Sequence, residues 1–180
     1  MKTSFMTFEN YQIPCYIIDL VSLNSANEIS RLMKPYKVTK YTYEFKFNSN
    51  TLKYGLSNDE NSHTPVERVY RLSGHIPGWS KQPKSSSGSD MKTICDSYVT
   101  QTGITVHKDQ VVLIIHDFST IASPNISDPD HLTKKHERYL IKNYEAKYGQ
   151  APIGNIKTEK HMDYRAFVST ETFDNLFVCN

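Results

Sequence analysis

The chain is poor in cysteine, has no long apolar run and carries little net charge, and each lack excludes something. Cys15, Cys95 and Cys179 are odd in number and far apart, and none belongs to a CxxC pair. That argues against a disulfide framework and against a zinc knuckle, and reads all three as packing thiols. No apolar stretch approaches the roughly 20 residues needed to span a bilayer. The opening MKTSFMTFENYQ is broken by polar residues and lacks the apolar core of a secretory leader. The expectation is a protein of the host-cell cytosol with no membrane partner. A formal net charge of +2 does not by itself demand nucleic acid, although a local basic patch can still bind it. There is no internal repeat and no appended zinc finger or helix-hairpin-helix segment.

What is present fits one globular domain. A length of 180 residues suffices for a single real core. Residues 12–20 read as a strand. Ser25 and Glu28 read as a capping box for a helix over about 25–34, ending before Pro35. Residues 40–47 alternate strictly, with Tyr41, Tyr43, Phe45 and Phe47 on one face and Lys40, Thr42, Glu44 and Lys46 on the other. Asn48, Ser49 and Asn50 supply turn chemistry, so 40–56 reads as a β-hairpin. Thr64-Pro65-Val66-Glu67 predicts a helix start, and that helix should run to about Ser73. Further helices are expected over 90–101 and from Asp128 or Asp130 to a C-cap at Gly149, with a buried strand over 110–118 between them. The fold class implied is α+β: a small, mainly antiparallel sheet flanked by helices.

Three groups of residues carry chemistry. If Asn48 and Ser49 are the two central turn residues, Tyr43 and Tyr54 stand directly opposite each other, on one sheet face beside Gly55. Taken alone, such a pair is more often packing than a site. Arg71 and His75 are spaced i, i+4, which suits a phosphate if the helix reaches His75. Glu137 precedes Leu140 and Ile141 by three and four residues, so it lies on or beside the buried stripe of the last helix. A carboxylate there needs a cation, a metal or a hydrogen-bond donor. Residues 31–54 add Arg31, Lys34, Lys37, Lys40, Lys46 and Lys53 against the single acid Glu44, with Tyr36, Tyr41, Tyr43 and Tyr54 interleaved.

The order Tyr-x10-Tyr-Gly, Arg-x3-His, Glu-x2-Leu-Ile and Pro-x2-Asn resembles the GIY-YIG nuclease superfamily, from about Tyr41 to Asn155. The resemblance implies that Tyr43 and Tyr54 are the two motif tyrosines and that Arg71 contacts the scissile phosphate. His75 is then the residue one helical turn later, Glu137 the single metal-binding carboxylate, and Asn155 the late asparagine that braces the site. The first motif reads Tyr41-Thr42-Tyr43 in place of Gly-Ile-Tyr, and the second Lys53-Tyr54-Gly55 in place of Tyr-Ile-Gly. The gap from Tyr54 to Arg71 is long, which makes Arg68 a rival for the arginine role. In this scheme residues 1–39 are an N-terminal extension packed on the core. Residues 40–160 are the nuclease core with an inserted section over about 76–127, and 161–180 are a tail.

The implied activity is hydrolysis of DNA phosphodiester bonds with one Mg²⁺ or Mn²⁺ on Glu137, in an enzyme of the restriction or phage DNA-degrading kind. Tyr43 would take the proton from water, which for a phenol of ordinary pKa near 10 needs nearby positive charge. Lys46, Lys53, Arg68, Lys81 and Lys84 are the expected nucleic-acid contacts. Cleavage of both strands would need a homodimer or two binding events. Two other nuclease readings compete. Glu44-Phe45-Lys46, with Asp19 before it, forms the ExK of a PD-(D/E)xK enzyme. His116-Asp117 with His131 and His136 suggests a loose HNH-type metal set, although His107, His131 and His161 read more simply as surface residues. The non-enzymatic alternative is a DNA-binding or inhibitory module that shares the fold and lacks cleavage.

Overall fold

A computed structural model describes residues 1–48, 50–80, 89–121 and 131–156. Five strands form one sheet: β1 (Lys2–Phe8), β2 (Tyr11–Asp19), β3 (Lys40–Phe47), β4 (Asn50–Asn58) and β5 (Val111–Asp117). Their order is β1-β2-β5-β3-β4, and every neighbouring pair is antiparallel. The helices are α1 (Asn27–Met33), α2 (Glu67–Ser73), α3 (Ser89–Thr102) and α4 (Leu132–Tyr148). The α+β expectation holds, with the strand read over 12–20, the hairpin and the 110–118 strand all in the sheet and β1 as one strand more.

Alternation along β3 decides the layers. Tyr41, Tyr43, Phe45 and Phe47 point to one face and are at most 1% exposed. They pack with Ile29 and Met33 of α1, Val69 and Leu72 of α2, and Met91, Ile94 and Cys95 of α3. Each such buried side chain contributes on the order of 2 kcal/mol of transfer free energy. The other face receives α4: Leu140 and Ile141 pack with Tyr54, while Phe8, Ile13 and Phe118 enclose the start of that helix. The sheet is therefore covered on both sides.

Two segments that read as additions are integral to the sheet. Residues 1–39 supply β1 and β2, and β2 pairs with β5 from Cys15 to Asp19. Residues 76–127 contain β5, the central strand of the five. Residues 2–8 carry no strand pattern in the sequence, because β1 is largely solvated and only Phe8 on it is buried.

Several helix starts differ from expectation. α1 begins at Asn27; Ser25 does not cap it, and Glu28 Oε2 accepts from the Asn24 N–H at 3.3 Å. The chain passes Pro35 as a 3₁₀ turn over Lys34–Tyr36 before leaving the helical region at Lys37. α2 starts at Glu67, three residues after Thr64, because Val66 sits in the left-handed region at φ 48°. Ser62 fixes this entry: its hydroxyl donates to Glu67 Oε2 at 2.6 Å and accepts from Thr64 N–H at 3.1 Å. α4 is capped by His131, whose Nδ1 accepts from Thr133 N–H at 3.3 Å, so His131 is a buried cap and not a surface residue. It ends as expected at Gly149, φ 76°. The proposed starts at Asp128 and Asp130 lie outside the described residues, as does the tail over 161–180. Among the described residues no helix is long and apolar enough to cross a membrane.

Candidate active site

The hairpin does not bring Tyr43 and Tyr54 together. Its turn is where expected, with Phe47 opposite Asn50 and Lys46 opposite Thr51. Between Phe45 and Lys46 the register then shifts, and Leu52 is the extra residue on β4. Beyond this bulge Tyr43 opposes Gly55, and Tyr54 opposes Glu44. A one-residue slip exchanges the two faces of a strand. Tyr43 thus lies on the α1–α3 side and Tyr54 on the α4 side.

Each tyrosine has a distinct setting. The Tyr43 ring lies across Gly55, and a Cβ at position 55 would overlap its Cζ and Oη. Gly55 is required because the phenol occupies the space a side chain would fill. Tyr54 packs edge-on to Tyr144 at 6.4 Å, with its hydroxyl 3.4 Å from Thr51 Oγ1. Thr51 in turn donates to Glu44 Oε1 at 2.5 Å. Burial and the neighbouring Glu44 carboxylate push the Tyr54 phenol well above its ordinary pKa, the opposite of what a base needs.

The outer edge of β4 is closed by the turn after α4. Asn155 Oδ1 accepts the Tyr54 N–H at 2.9 Å, and its Nδ2 donates to the Tyr54 carbonyl at 3.0 Å. The side-chain amide thereby imitates one residue of a sixth strand. Gly154 N–H donates to the Leu52 carbonyl at 2.8 Å, and Lys53 Nζ donates to the Gly154 carbonyl at 3.1 Å. A Cβ on Gly154 would stand 2.8 Å from Leu52 O and Lys53 Cβ and 2.7 Å from Ile94 Cδ1.

Glu137 stands in α4 on the flank of its buried stripe. Burial pushes its carboxyl up to about 7, against the pull of the Lys53, Arg138 and Arg68 charges. One carboxylate, kept partly from water and approached by three cations from β4, α4 and α2, is the chemical focus of this edge. Arg68 also lines a shallow cleft of about 290 Å³, together with Ser57, Asp59, Glu67 and Arg71. Asp59 there accepts from Tyr41 Oη at 2.6 Å and Ser57 Oγ at 2.8 Å. Among the described residues no three His, Cys, Asp or Glu side chains form a metal cage. An ion here would rest on Glu137 with water and substrate oxygens.

The arginine and histidine expectations change. α2 ends at Ser73, so the helix does not carry His75 onto the face of Arg71. Arg71 is half exposed and ion-paired with Glu67 across one helical turn. His75 is buried, 8% exposed, with its Nε2 unpartnered by any described group. Arg68, the rival, is the α2 arginine whose charge reaches Glu137. Lys81 and Lys84 lie outside the described residues. Lys46 is 41% exposed and 3.9 Å from Glu44.

The competing metal sets do not assemble. Glu44 is turned under α4, 7% exposed and bonded to Thr51, so its carboxylate is shut off from a phosphodiester. Asp19 shares a row with Lys46, but Val112 of β5 stands between them. His116 and His136 meet edge to face at 4.9 Å between sheet and helix. His116 Nδ1 is 3.2 Å from Cys15 Sγ, and His136 Nδ1 is 2.7 Å from Thr42 Oγ1. Burial pushes His116 down to about 4 and lowers His136 as well, so both are neutral packing groups at pH 7. The features missed in the sequence are the bulge at Leu52, the Tyr41–Asp59 bond and the part of Glu67. Ser57-Asn58-Asp59 is turn chemistry, the one signal that could have marked the cleft.

No family model matches this chain, and no curated protein or solved structure does.

Proposed function

We propose that the protein is a metal-dependent endonuclease whose site lies at the β4 edge around Glu137. The observation that carries this reading is the Glu137 carboxylate itself, half-buried and within reach of the Lys53, Arg68 and Arg138 charges. Burying a carboxylate costs free energy unless a cation compensates it, and such costs concentrate where function needs them. A divalent ion bound by one carboxylate, water and phosphate oxygens is an ordinary Mg²⁺ arrangement, so the donor set fits. When bound, the ion polarises the phosphate and stabilises charge on the leaving oxygen.

The chain's own residues divide the remaining work. Arg68 and Lys53 attract and orient the phosphodiester beside Glu137. The resemblance assigns the attacking water to Tyr43, whose hydroxyl lies over Gly55 on the sheet face away from α4; Tyr54 is a buttress held by Asn155 and Glu44. Arg71 and His75 take no part in the chemical step in this scheme. The order of motifs resembling the GIY-YIG superfamily supports the same assignment of Tyr43, Gly55, Glu137 and Asn155.

One observation favours the binding module that lacks cleavage: Tyr43 is only 1% exposed. A single experiment separates the two. Plasmid, single-stranded DNA and RNA are incubated with the protein, with and without Mg²⁺ or Mn²⁺, and read on a gel. Metal-dependent cutting is expected, with DNA as the substrate. Binding without cutting in both metals would establish the module instead.

A further inference from the structure

The cleft that Arg68 lines contains two guanidinium groups and two carboxylates, and one pair of them, Glu67 and Arg71, is joined as an ion pair. Asp59 is held by two hydroxyls, from Tyr41 and Ser57. Glu67 is held differently: it lies between Arg71, with which it forms an ion pair, and Ser62, which donates to its Oε2. Val66, a buried β-branched residue, adopts φ 48° and ψ 43° immediately before Glu67. Such a residue in the left-handed region is strained, and the bonds around Ser62 hold the turn in that shape. The strained turn aims the first residue of α2 into the cleft and onto Arg71.

We propose that this cleft is the seat of a phosphate flanking the scissile one, bound by Arg71, and that Glu67 is its gate, a built-in counterion that phosphate must displace. The inference rests on the nuclease reading above and names how that site takes hold of a nucleic-acid backbone. A guanidinium exchanges one oxyanion for another with little rearrangement, since carboxylate and phosphate present similar paired oxygens to the same fork. Ser62 then keeps the displaced Glu67 in place as it turns from Arg71. Binding is weakened by the competition, and non-specific attraction to any polyanion is damped. Arg71 thus sets affinity for the strand while Arg68 stays with Glu137.

The test measures binding of the full chain to a short fluorescent DNA duplex by anisotropy, in Ca²⁺ to suppress cutting, over a range of salt. Glu67→Gln preserves an acceptor for Ser62 and removes the competing charge. It should tighten binding by about two- to fivefold, the scale of a half-exposed ion pair. Arg71→Ala should weaken binding and lower the slope of log affinity against log salt by about 1. The double variant Glu67→Gln/Arg71→Ala should match Arg71→Ala alone. Equal affinity of Glu67→Gln and wild type would overturn the gate, as would a gain that persists in the Arg71→Ala background, which would be a general charge effect. Cleavage in Mg²⁺ is scored in parallel on the same proteins. A cutting enzyme whose Glu67→Gln variant binds like wild type loses the gate and keeps the nuclease. A protein that shows the predicted binding pattern and never cuts loses the nuclease and keeps the gate.

Discussion

Replacing Asn155 tests the closure of the β4 edge. The residue is 1% exposed, and its amide satisfies both the N–H and the carbonyl of Tyr54, 101 residues earlier in the chain. Asn155→Ala leaves two buried backbone groups without partners. Each orphaned group costs roughly 1–3 kcal/mol, so the expected loss is about 2–6 kcal/mol. With a urea m-value of about 2 kcal/mol/M, the unfolding midpoint should fall by roughly 1–3 M. Asn155→Asp adds a sharper signature. A protonated aspartic acid can donate O–H to the Tyr54 carbonyl and accept its N–H, whereas the carboxylate can only accept. Its folded pKa is therefore raised above the ordinary value near 4. Stability is then fully present below that value and is lost as pH rises through the folded pKa. Asn155→Asp should approach wild type at pH 4 and resemble Asn155→Ala at pH 8, by circular dichroism in urea. An Asn155→Ala variant within about 0.5 kcal/mol of wild type, or an Asn155→Asp variant with no pH dependence, would refute this account of the edge.

Other predictions follow from the same geometry. Gly55→Ala should lose about 1–3 kcal/mol by urea unfolding, because its Cβ overlaps the Tyr43 ring tip, and Tyr43→Phe should rescue part of that loss by removing the hydroxyl. Tyr43→Phe alone should abolish cleavage and retain DNA binding, read on a gel and by anisotropy; full cleavage would remove Tyr43 from the mechanism. Glu137 has a folded pKa raised to about 7 from an ordinary 4.5, so its favourable contribution is complete below pH 4.5 and lost as pH rises through 7. Glu137→Gln should therefore gain about 3 kcal/mol on wild type between pH 4.5 and 8 in urea titrations without metal; a difference that stays constant with pH would contradict the burial of that carboxylate. His116 has the opposite sign: its pKa is lowered to about 4, so stability is full above pH 6.5 and falls toward pH 4. His116→Gln should flatten that part of the urea-stability profile, and an unchanged acid slope would remove His116 as its source.

The elements with strong local patterns were legible in the sequence. The alternation of 40–47, the apolar run of 110–118 and the Gly149 cap all appear where expected. β1 was not legible, since only its last residue is buried and its alternation carries little apolar contrast. Asn48, Ser49 and Asn50 mark the hairpin turn but not the pairing beyond it, because a bulge has no residue-type signature at Leu52. That single extra residue sends the two tyrosines to opposite faces, which pairing arithmetic cannot foresee. Helical spacing places Glu137 beside the buried stripe of α4, whereas its convergence with Lys53 and Arg68 is a property of the tertiary structure. Arg71 was favoured through His75, an i, i+4 argument that fails because Gly74 caps the helix one residue earlier. Motif order marks Asn155 as a residue that braces the site, and its two bonds to Tyr54 belong to tertiary structure.

The proposed function stands on Glu137 holding a metal at a phosphodiesterase site. The most direct measurement compares wild type and Glu137→Gln on supercoiled plasmid, with Mg²⁺ titrated from zero and folding of both proteins checked by circular dichroism. A metal held by Glu137 means that wild type nicks or linearises plasmid only with the metal present, and that folded Glu137→Gln leaves it intact. Equal cutting by the two proteins, or no cutting by wild type at any Mg²⁺ or Mn²⁺ concentration, would contradict it.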